Sequence, residues 1–410
     1  MRILALNWTD WRSRTAGGSE VHLLEMFRRW VEAGHQVTLG CGFHAGLRDL
    51  RDRTHREVDR GIEILRSGPW YLTHLAVPRL ARRLLHERRY DVVLDAVNKL
   101  PFFSPRWAGP VPVLALVHHL FGKTIERDFG WLRGRYYLAL ERRIPAVYGS
   151  TPIVAISAST KAALTDVGIP SSHVEIVECG LDRAYLAPAG VPRDADPLLL
   201  VVSRLRVYKR VDVVIEALAL LRERLPRARL LIGGTGTDEA RLLRLVRRRG
   251  LEDCVSFLGH VSEEGKRRLL ARAHVFCTAS EVEGWGLTVI EANALGTPVL
   301  ATDSPGHRDS LRMGVGGYLF PPGDAAALAR LAHRLLTDER EWRILSIAGR
   351  AWAEFFDWEK TAARTLEILE EVASGDWLPG VTAPAAPRRV IGADREEAVA
   401  AAVAGSRAAG

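Results

Sequence analysis

EGWGLTVIE, residues 283–291, lies between two apolar runs. Before it comes AHVFCTAS (273–280), with the length and content of a buried strand; LTVIEANALG (287–296) is long enough for a helix. Gly284 and Gly286 mark the junction. A strand, a glycine turn and a helix N-terminus make an anion site. The first N–H groups of the helix lack internal partners, and its dipole puts positive charge there. A carboxylate stands on each side of the turn, Glu283 and Glu291. Backbone donors suit a phosphate and carboxylates accept from sugar hydroxyls, so the segment predicts a sugar-nucleotide site.

Strand and helix patterns alternate on both sides of it. In the first half RILALNW, HQVTLGCG, IEILRS, DVVLDA and PVLALVHH read as strands. GGSEVHLLEMFRRWVEAG reads as an amphipathic helix, with Val21, Leu24, Phe27 and Val31 at helical spacing and Gly34 as its stop. A second helix is expected over 75–89. IVAISASTKAALTDVG reads as strand, turn and helix, and VEIVECGLD as strand and turn. AYLAPAGVPRDADP (184–197) has three prolines and no period, as a linker would. LLLVVSRL, ARLLIGG, CVSFLG, HVFCTAS, PVLAT and YLFP then alternate with five helical segments.

The expected fold class is α/β: two Rossmann-like, doubly wound parallel-sheet domains facing a cleft. The expected division is 1–186, a linker at 187–197, a second domain at 198–340, closing helices over 341–374 and a disordered tail over 375–410. Ligands of such sheets bind outside the carboxyl ends of the strands.

A chain of 410 residues exceeds one ordinary core, which agrees with two domains. No apolar run nears the roughly 20 residues of a membrane span, and the N-terminus reads as a strand, not a signal peptide. Four scattered cysteines speak against a zinc site or a disulfide framework, and a reducing cytoplasm fits. The net charge is +8, and the run RLARRLLHERR (79–89) suits an anionic membrane surface or a solvated helix face. No nucleic-acid module accompanies it.

The turns after strands carry the candidate residues. SRLRVYKR (203–210) brings Arg204 and Lys209 to a helix start, where cations oppose the dipole unless an anion compensates; a diphosphate would. IGGTGTDE (232–239) is a tight turn or a close backbone approach to a nucleotide. In AGGSE (16–20), Gly17 and Gly18 admit a ligand to the backbone, or Ser19 caps a helix. In VHH (117–119), His118 or His119 is placed to donate to a sugar hydroxyl or to move a proton. Asp194 and Asp196 spell DxD inside the linker and read as solvated charge; no other cluster has metal spacing.

Together these segments resemble the retaining glycosyltransferases of the GT-B fold, family 4, from the first residue to about 374. SRL…YK, GGTGTDEARL, FLGHVSEE, EGWGLTVIE, EANALGTPVLAT and GGYLFPPGD carry the likeness. It implies closing helices that cross back to the first domain. It also implies diphosphate ligands at Arg204 and Lys209, a ribose ligand at Glu291 and a donor-sugar ligand at Glu283. Gly284, Trp285, Gly286 and Leu287 would form the loop meeting sugar and phosphate, and Val261 would lie near the base. Gly17 and Gly18 would be the glycine loop, and His118 would lie near the transferred sugar. No cofactor and no metal are implied. The chain departs at Cys179-Gly180, where Asn-Gly is usual, and at Pro305, Gly306 and Asp309, where Gly-Gly…Glu is frequent.

The expected reaction is retaining, metal-independent transfer of a sugar from a nucleotide-diphosphate sugar to a glycan, lipid-linked or small-molecule acceptor. The expected setting is the cytoplasm, with peripheral contact at the inner membrane face permitted by the basic first domain. The alternatives are a sugar phosphorylase or sucrose-synthase-like enzyme on the same fold, and a non-catalytic nucleotide-sugar-binding module.

Overall fold

The computed structural model describes residues 1–13, 16–43, 55–98, 100–122, 130–187, 189–380 and 401. It consists of two units. Among the described residues, one holds Met1–Gly180 and Trp358–Gly380; the other holds Leu181–Asp357.

The first unit is built on an eight-stranded sheet of β1 (Arg2–Leu6), β2 (Gln36–Cys41), β3 (His55–Asp59), β4 (Ile62–Arg66), β5 (Val92–Val97), β6 (Val113–Val117), β7 (Ile153–Ala155) and β8 (Val174–Ile176). Their order is β3-β4-β2-β1-β5-β6-β7-β8. Every pair is parallel except β3–β4. β5 and β6 are buried along their whole length, as near-continuous apolar runs in a helix-covered parallel sheet must be. The antiparallel edge strand β3, HREVD, is largely charged, which guards an open edge against further pairing. The sequence reading missed it because it has no apolar period.

The second unit is built on a six-stranded, all-parallel sheet: β9 (Leu198–Val202), β10 (Arg229–Gly233), β11 (Val255–Gly259), β12 (Val275–Thr278), β13 (Val299–Thr302) and β14 (Gly317–Phe320). Their order is β11-β10-β9-β12-β13-β14. The switch between β9 and β12 leaves the turns after both strands neighbours at one end of the sheet, and the candidate residues lie on those turns.

Several expectations are corrected in detail. The first helix, Gly18–Glu32, buries Leu23, Met26, Phe27 and Trp30; Val21 is exposed and Leu24 and Val31 are only half-buried. The wide rings at 27 and 30 decide the inward face. Helix Glu339–Ala353 belongs to the second unit, where Trp342 Nε1 donates to the His274 carbonyl at 2.8 Å and Trp352 Nε1 to that of Ser310 at 2.9 Å. Helix Trp358–Ser374 belongs to the first unit, where Trp30 Nε1 donates to the Ala362 carbonyl at 2.9 Å. The stretch read as a linker is bound to the second unit through Arg193, which donates to Thr297 Oγ1 at 2.6 Å and lies over the Trp342 ring. Of the tail, 375–380 packs on the first unit, with Trp377 edge-on to His173 and Gly380 N–H on the Ser172 carbonyl at 2.9 Å. The remainder lies outside the described residues, apart from 401. No helix among the described residues is long and apolar enough to cross a membrane.

Candidate active site

The loop after β9 ends in a short 3₁₀ turn, Val207–Lys209, and leads into helix Val211–Arg222. The loop after β12 leads through the glycines into helix Leu287–Ala294. The two loops are stitched together. Glu281 N–H donates to the Tyr208 carbonyl at 2.9 Å, Arg210 Nη1 to Glu281 Oε1 at 2.8 Å, and Lys209 Nζ forms an ion pair with Glu283. Arg210 takes a left-handed backbone, φ +48°, and is also held by Asp212 at 3.2 Å.

The Lys209–Glu283 pair is largely enclosed. Burial works to raise the Glu283 carboxyl, but Lys209 and then His307 outweigh it and hold it at about 2. Burial likewise works to lower the Lys209 ammonium, and Glu283 and Tyr208 hold it above its ordinary value. Arg204 belongs to the same group: its charge opposes that of Lys209, and its guanidinium reaches the Tyr208 hydroxyl at 3.4 Å. Two cations from one loop therefore stand beside a helix start that favours anions.

Glu291 lies on helix Leu287–Ala294, only 8% exposed. Lys266, from helix Glu263–Arg272, donates to its Oε1 at 2.9 Å; its Oε2 is buried without a partner. Burial raises this carboxyl against the pull of Lys266. Lys266 also reaches Glu263 at 2.9 Å and lies over the Tyr185 ring, whose hydroxyl donates to Glu263 at 3.2 Å. Each of the two candidate carboxylates thus has its own lysine.

The turn itself demands glycine at 286. Its φ is +107°, and a Cβ there would stand 3.0 Å from Ser310 Oγ. Trp285 is buried edge-on to Phe356, with Nε1 unpartnered. Gly284 is buried and Leu287 half-buried. His307 lies beneath the turn; its Nδ1 faces the Thr302 carbonyl and Ser304 Oγ, each at 3.0 Å. Val261 is half-buried and packs over the end of β10, its Cγ2 2.9 Å from where a Cβ on Gly233 would stand.

Of the open readings of IGGTGTDE, the tight turn has the direct support: Cβ atoms on Gly234 and Gly236 would strike the Ser203 and Leu205 carbonyls at 1.9 and 2.0 Å. The DxD carboxylates are engaged by arginines, Asp194 by Arg272 at 2.6 Å and Asp196 by Arg227. Among the described residues no group of three or more His, Cys, Asp or Glu side chains is arranged to hold a metal ion.

In the first unit, Gly17 precedes helix Gly18–Glu32, and its N–H donates to Glu20 Oε2 at 2.8 Å. Glu20, not Ser19, therefore caps the start. His118 follows β6, is buried, and meets His22 of that first helix, Nε2 to Nδ1 at 3.2 Å. His119 is less buried and tilts against Phe121. Lys266, His307 and His22 were not singled out from sequence. Lys266 and His22 sit inside ordinary helical patterns and His307 follows a Pro-Gly pair, and only the fold gives each its neighbour.

Comparison with known proteins bears on the family and the fold. A family model described as Glycosyltransferase Family 4 matches residues 16–185, and one described as Glycosyl transferases group 1 matches residues 186–352. The amylovoran biosynthesis glycosyltransferase AmsK of Erwinia amylovora is 32% identical over 298 residues, 68% of this chain and 73% of that protein. A glycogen synthase of Mycobacterium tuberculosis is 26% identical over 415 residues, 92% of this chain and 97% of that one. The crystal structure of Anabaena HepE with UDP and glucose superposes with a TM-score of 0.70 at 18% identity, covering 90% of this chain and all of that one. The likeness in fold, the two family models and the AmsK relationship converge: this chain belongs to the family 4 glycosyltransferases and has their GT-B architecture.

Proposed function

We propose that this chain moves a sugar from a nucleotide-diphosphate sugar to a hydroxyl acceptor in glycan biosynthesis, with retention at the anomeric carbon and without a metal or other cofactor. The observation that carries the reading is the enclosed Lys209–Glu283 pair with Arg204 beside it. Departure of the diphosphate is the hard step. Fixed cations in an enclosed site stabilise the charge that develops on the leaving group. Arg204 and Lys209 do so here, with the start of helix Leu287–Ala294 and the Gly284–Trp285–Gly286–Leu287 backbone. Glu283 accepts from hydroxyls of the transferred sugar, and Glu291, through its bare Oε2, from the ribose. Val261 lies by the base, Gly17 and Gly18 give the substrate close backbone approach, and His118 donates to a substrate oxygen.

In the front-face course, the acceptor oxygen bonds to the anomeric carbon as the bond to the diphosphate oxygen breaks. The departing phosphate oxygen takes the acceptor proton. The pairing of Glu283 with Lys209 agrees with this course, because it holds that carboxylate well below its ordinary value and makes it a weak base. The relative HepE, solved with UDP and glucose, supports a nucleotide-sugar donor.

A thermal-shift screen with UDP-, GDP-, ADP- and TDP-sugars tests binding, since a ligand taken only by the native state raises its stability. NMR of the product's anomeric proton then tests retention. No shift with any donor, or an inverted product, refutes the reading. Activity that survives a chelator supports the metal-free step, and its abolition refutes that part. Product formed from inorganic phosphate as acceptor points to a phosphorylase instead.

One surface favours a membrane-borne acceptor. In helix Trp131–Glu141 only Gly134 is buried; Trp131 and Leu132 are 65% and 75% exposed, beside Arg133 and Arg135. Exposed Leu75 and Arg79 of helix Thr73–Glu87 adjoin it through the contact of His74 with the Tyr136 hydroxyl at 3.1 Å. Exposed Trp, Leu and Arg together suit an anionic lipid surface. Co-sedimentation with phosphatidylglycerol vesicles, lost at high salt and in a Trp131→Ser/Leu132→Ser variant, is the expected result. Equal recovery with and without vesicles refutes it.

A further inference from the structure

His22 and His118 meet inside the first unit with ring nitrogens 3.2 Å apart and rings edge to face. They are 1% and 4% exposed. Their other nitrogens, His22 Nε2 and His118 Nδ1, are buried with no partner. Burial keeps both rings neutral: it takes His22 down to about 3, and it lowers His118 well below the usual range, with His22 and His119 adding to the effect.

A neutral imidazole carries one N–H. A hydrogen bond between His22 Nδ1 and His118 Nε2 therefore needs one donor and one acceptor, which ties the tautomers together. Either both rings are Nδ1–H, or both are Nε2–H. Each state leaves one donor unpaired in the free protein, and the two differ in where it lies. In the Nε2–H state it lies on His22, whose ring is stacked at 5.4 Å on the buried Trp358. A buried N–H without an acceptor is costly in either state, and the cost is relieved only where a substrate oxygen can accept, which on the reading above is at His118. In the Nδ1–H state it lies on His118. The Nδ1–H of His22 then points to His118 and has Cys179 Sγ, a weak acceptor, 3.8 Å away. Cys179 is one of the chain's departures from the family pattern.

We infer that His22 is a positioning residue: it holds His118 in the Nδ1–H tautomer, so that His118 presents a hydrogen-bond donor, and not a base, to an oxygen of the substrate. This rests on the reading above that His118 faces the substrate. It assigns His118 an electrostatic part only. A donor there can bond a sugar hydroxyl or ring oxygen without taking up the acceptor proton.

The test is long-range ¹H–¹⁵N NMR of the full chain labelled at histidine, read in the wild type, His22→Asn and His22→Phe. Asn keeps an N–H donor near the Nδ1 position; Phe keeps a ring against Trp358 and offers no donor. The expected result is one Nδ1–H tautomer for His118 in the wild type and in His22→Asn, and a tautomer mixture in His22→Phe. In kinetics, losing one charge-neutral hydrogen bond in the reacting complex predicts that His22→Phe lowers kcat about 10-fold with little change in the donor KM, and that Asn restores most of it. An Nε2–H signal for wild-type His118, or an unchanged tautomer in His22→Phe, overturns the inference. The wild-type spectrum decides even if a variant fails to fold. If the tautomer behaves as expected but His118→Ala turns over normally, the substrate-facing reading of His118 fails instead.

Discussion

Lys266 donates to one oxygen of Glu291 at 2.9 Å and leaves the other oxygen of that buried carboxylate with no partner. The ammonium fixes the carboxylate and offsets part of the burial that raises it. The bare oxygen is what a pair of vicinal hydroxyls would complete.

Glu291→Gln should therefore raise the donor KM by about 10–100-fold, the range expected for losing a hydrogen bond to a charged group, with a smaller effect on kcat. Lys266→Met should act in the same direction and more weakly, because it loosens the carboxylate without removing it. Initial rates against donor concentration separate the two parameters. A Glu291→Gln enzyme with the wild-type KM would place the ribose elsewhere.

Lys209→Ala should cut kcat by roughly 100–1,000-fold, the loss typical of removing one stabiliser of developing charge. The fold should survive with a loss on the order of 3 kcal/mol, because removing the ammonium leaves the enclosed Glu283 carboxylate without its main partner. Circular dichroism and single-turnover rates check both halves. Near-normal turnover would break the assignment.

Acid should weaken the protein in two stages. His22 is taken down to about 3 by burial, so its neutral state adds stability that is present above its unfolded value near 6.5. That stability is lost as pH falls from there toward 3. Glu283 is held at about 2 against an ordinary value of 4.5, so its part, on the order of 3 kcal/mol counted once for the pair with Lys209, is lost as pH falls from about 4.5 to 2. Urea midpoints measured from pH 7 down to 3 should fall throughout. Glu283→Gln should flatten the lower stage and His22→Phe part of the upper one, to which the buried His118 also contributes; an unchanged profile in either variant would contradict its stage.

Gly286→Ala should cost about 1–2 kcal/mol from the left-handed backbone alone. The crowding of Ser310 adds to it. Because the strain falls on the turn that opens helix Leu287–Ala294, activity should drop by more than stability accounts for. Thermal melts and donor saturation curves measured side by side show the split.

The sequence was informative wherever an element had a period or a punctuating glycine. All six strands of the second sheet stand where apolar runs had been read, because parallel strands covered on both faces leave such runs. β3 was illegible because its pairing, not its composition, makes it a strand. Within the candidate site, Glu283, Glu291, Arg204 and Lys209 were proposed from the turns they occupy, and the structure sets Lys209 against Glu283 with Arg204 near by. Lys266 could not be reached by periodicity, since EEGKRRLL looks like any solvated helix. Composition held a fainter sign: only six of the 57 basic residues are lysines, and two of them pair with the two acids that flank the glycine turn. A slender pivoting ammonium can pass from carboxylate to phosphate more freely than a planar guanidinium fork. His22 gave no sign at all, because its role depends on a ring brought from 96 residues away.

The triple seam that joins Tyr208, Lys209 and Arg210 to Glu281 and Glu283 has a practical corollary for anyone wishing to retarget this enzyme to another sugar. A cassette swapped in at 280–287 alone would strand the cations of the facing loop, so 207–210 must travel with it. On the proposed assignment of these loops to the donor, its preference would be exchanged as a two-loop module, or the graft starts with its charges mismatched.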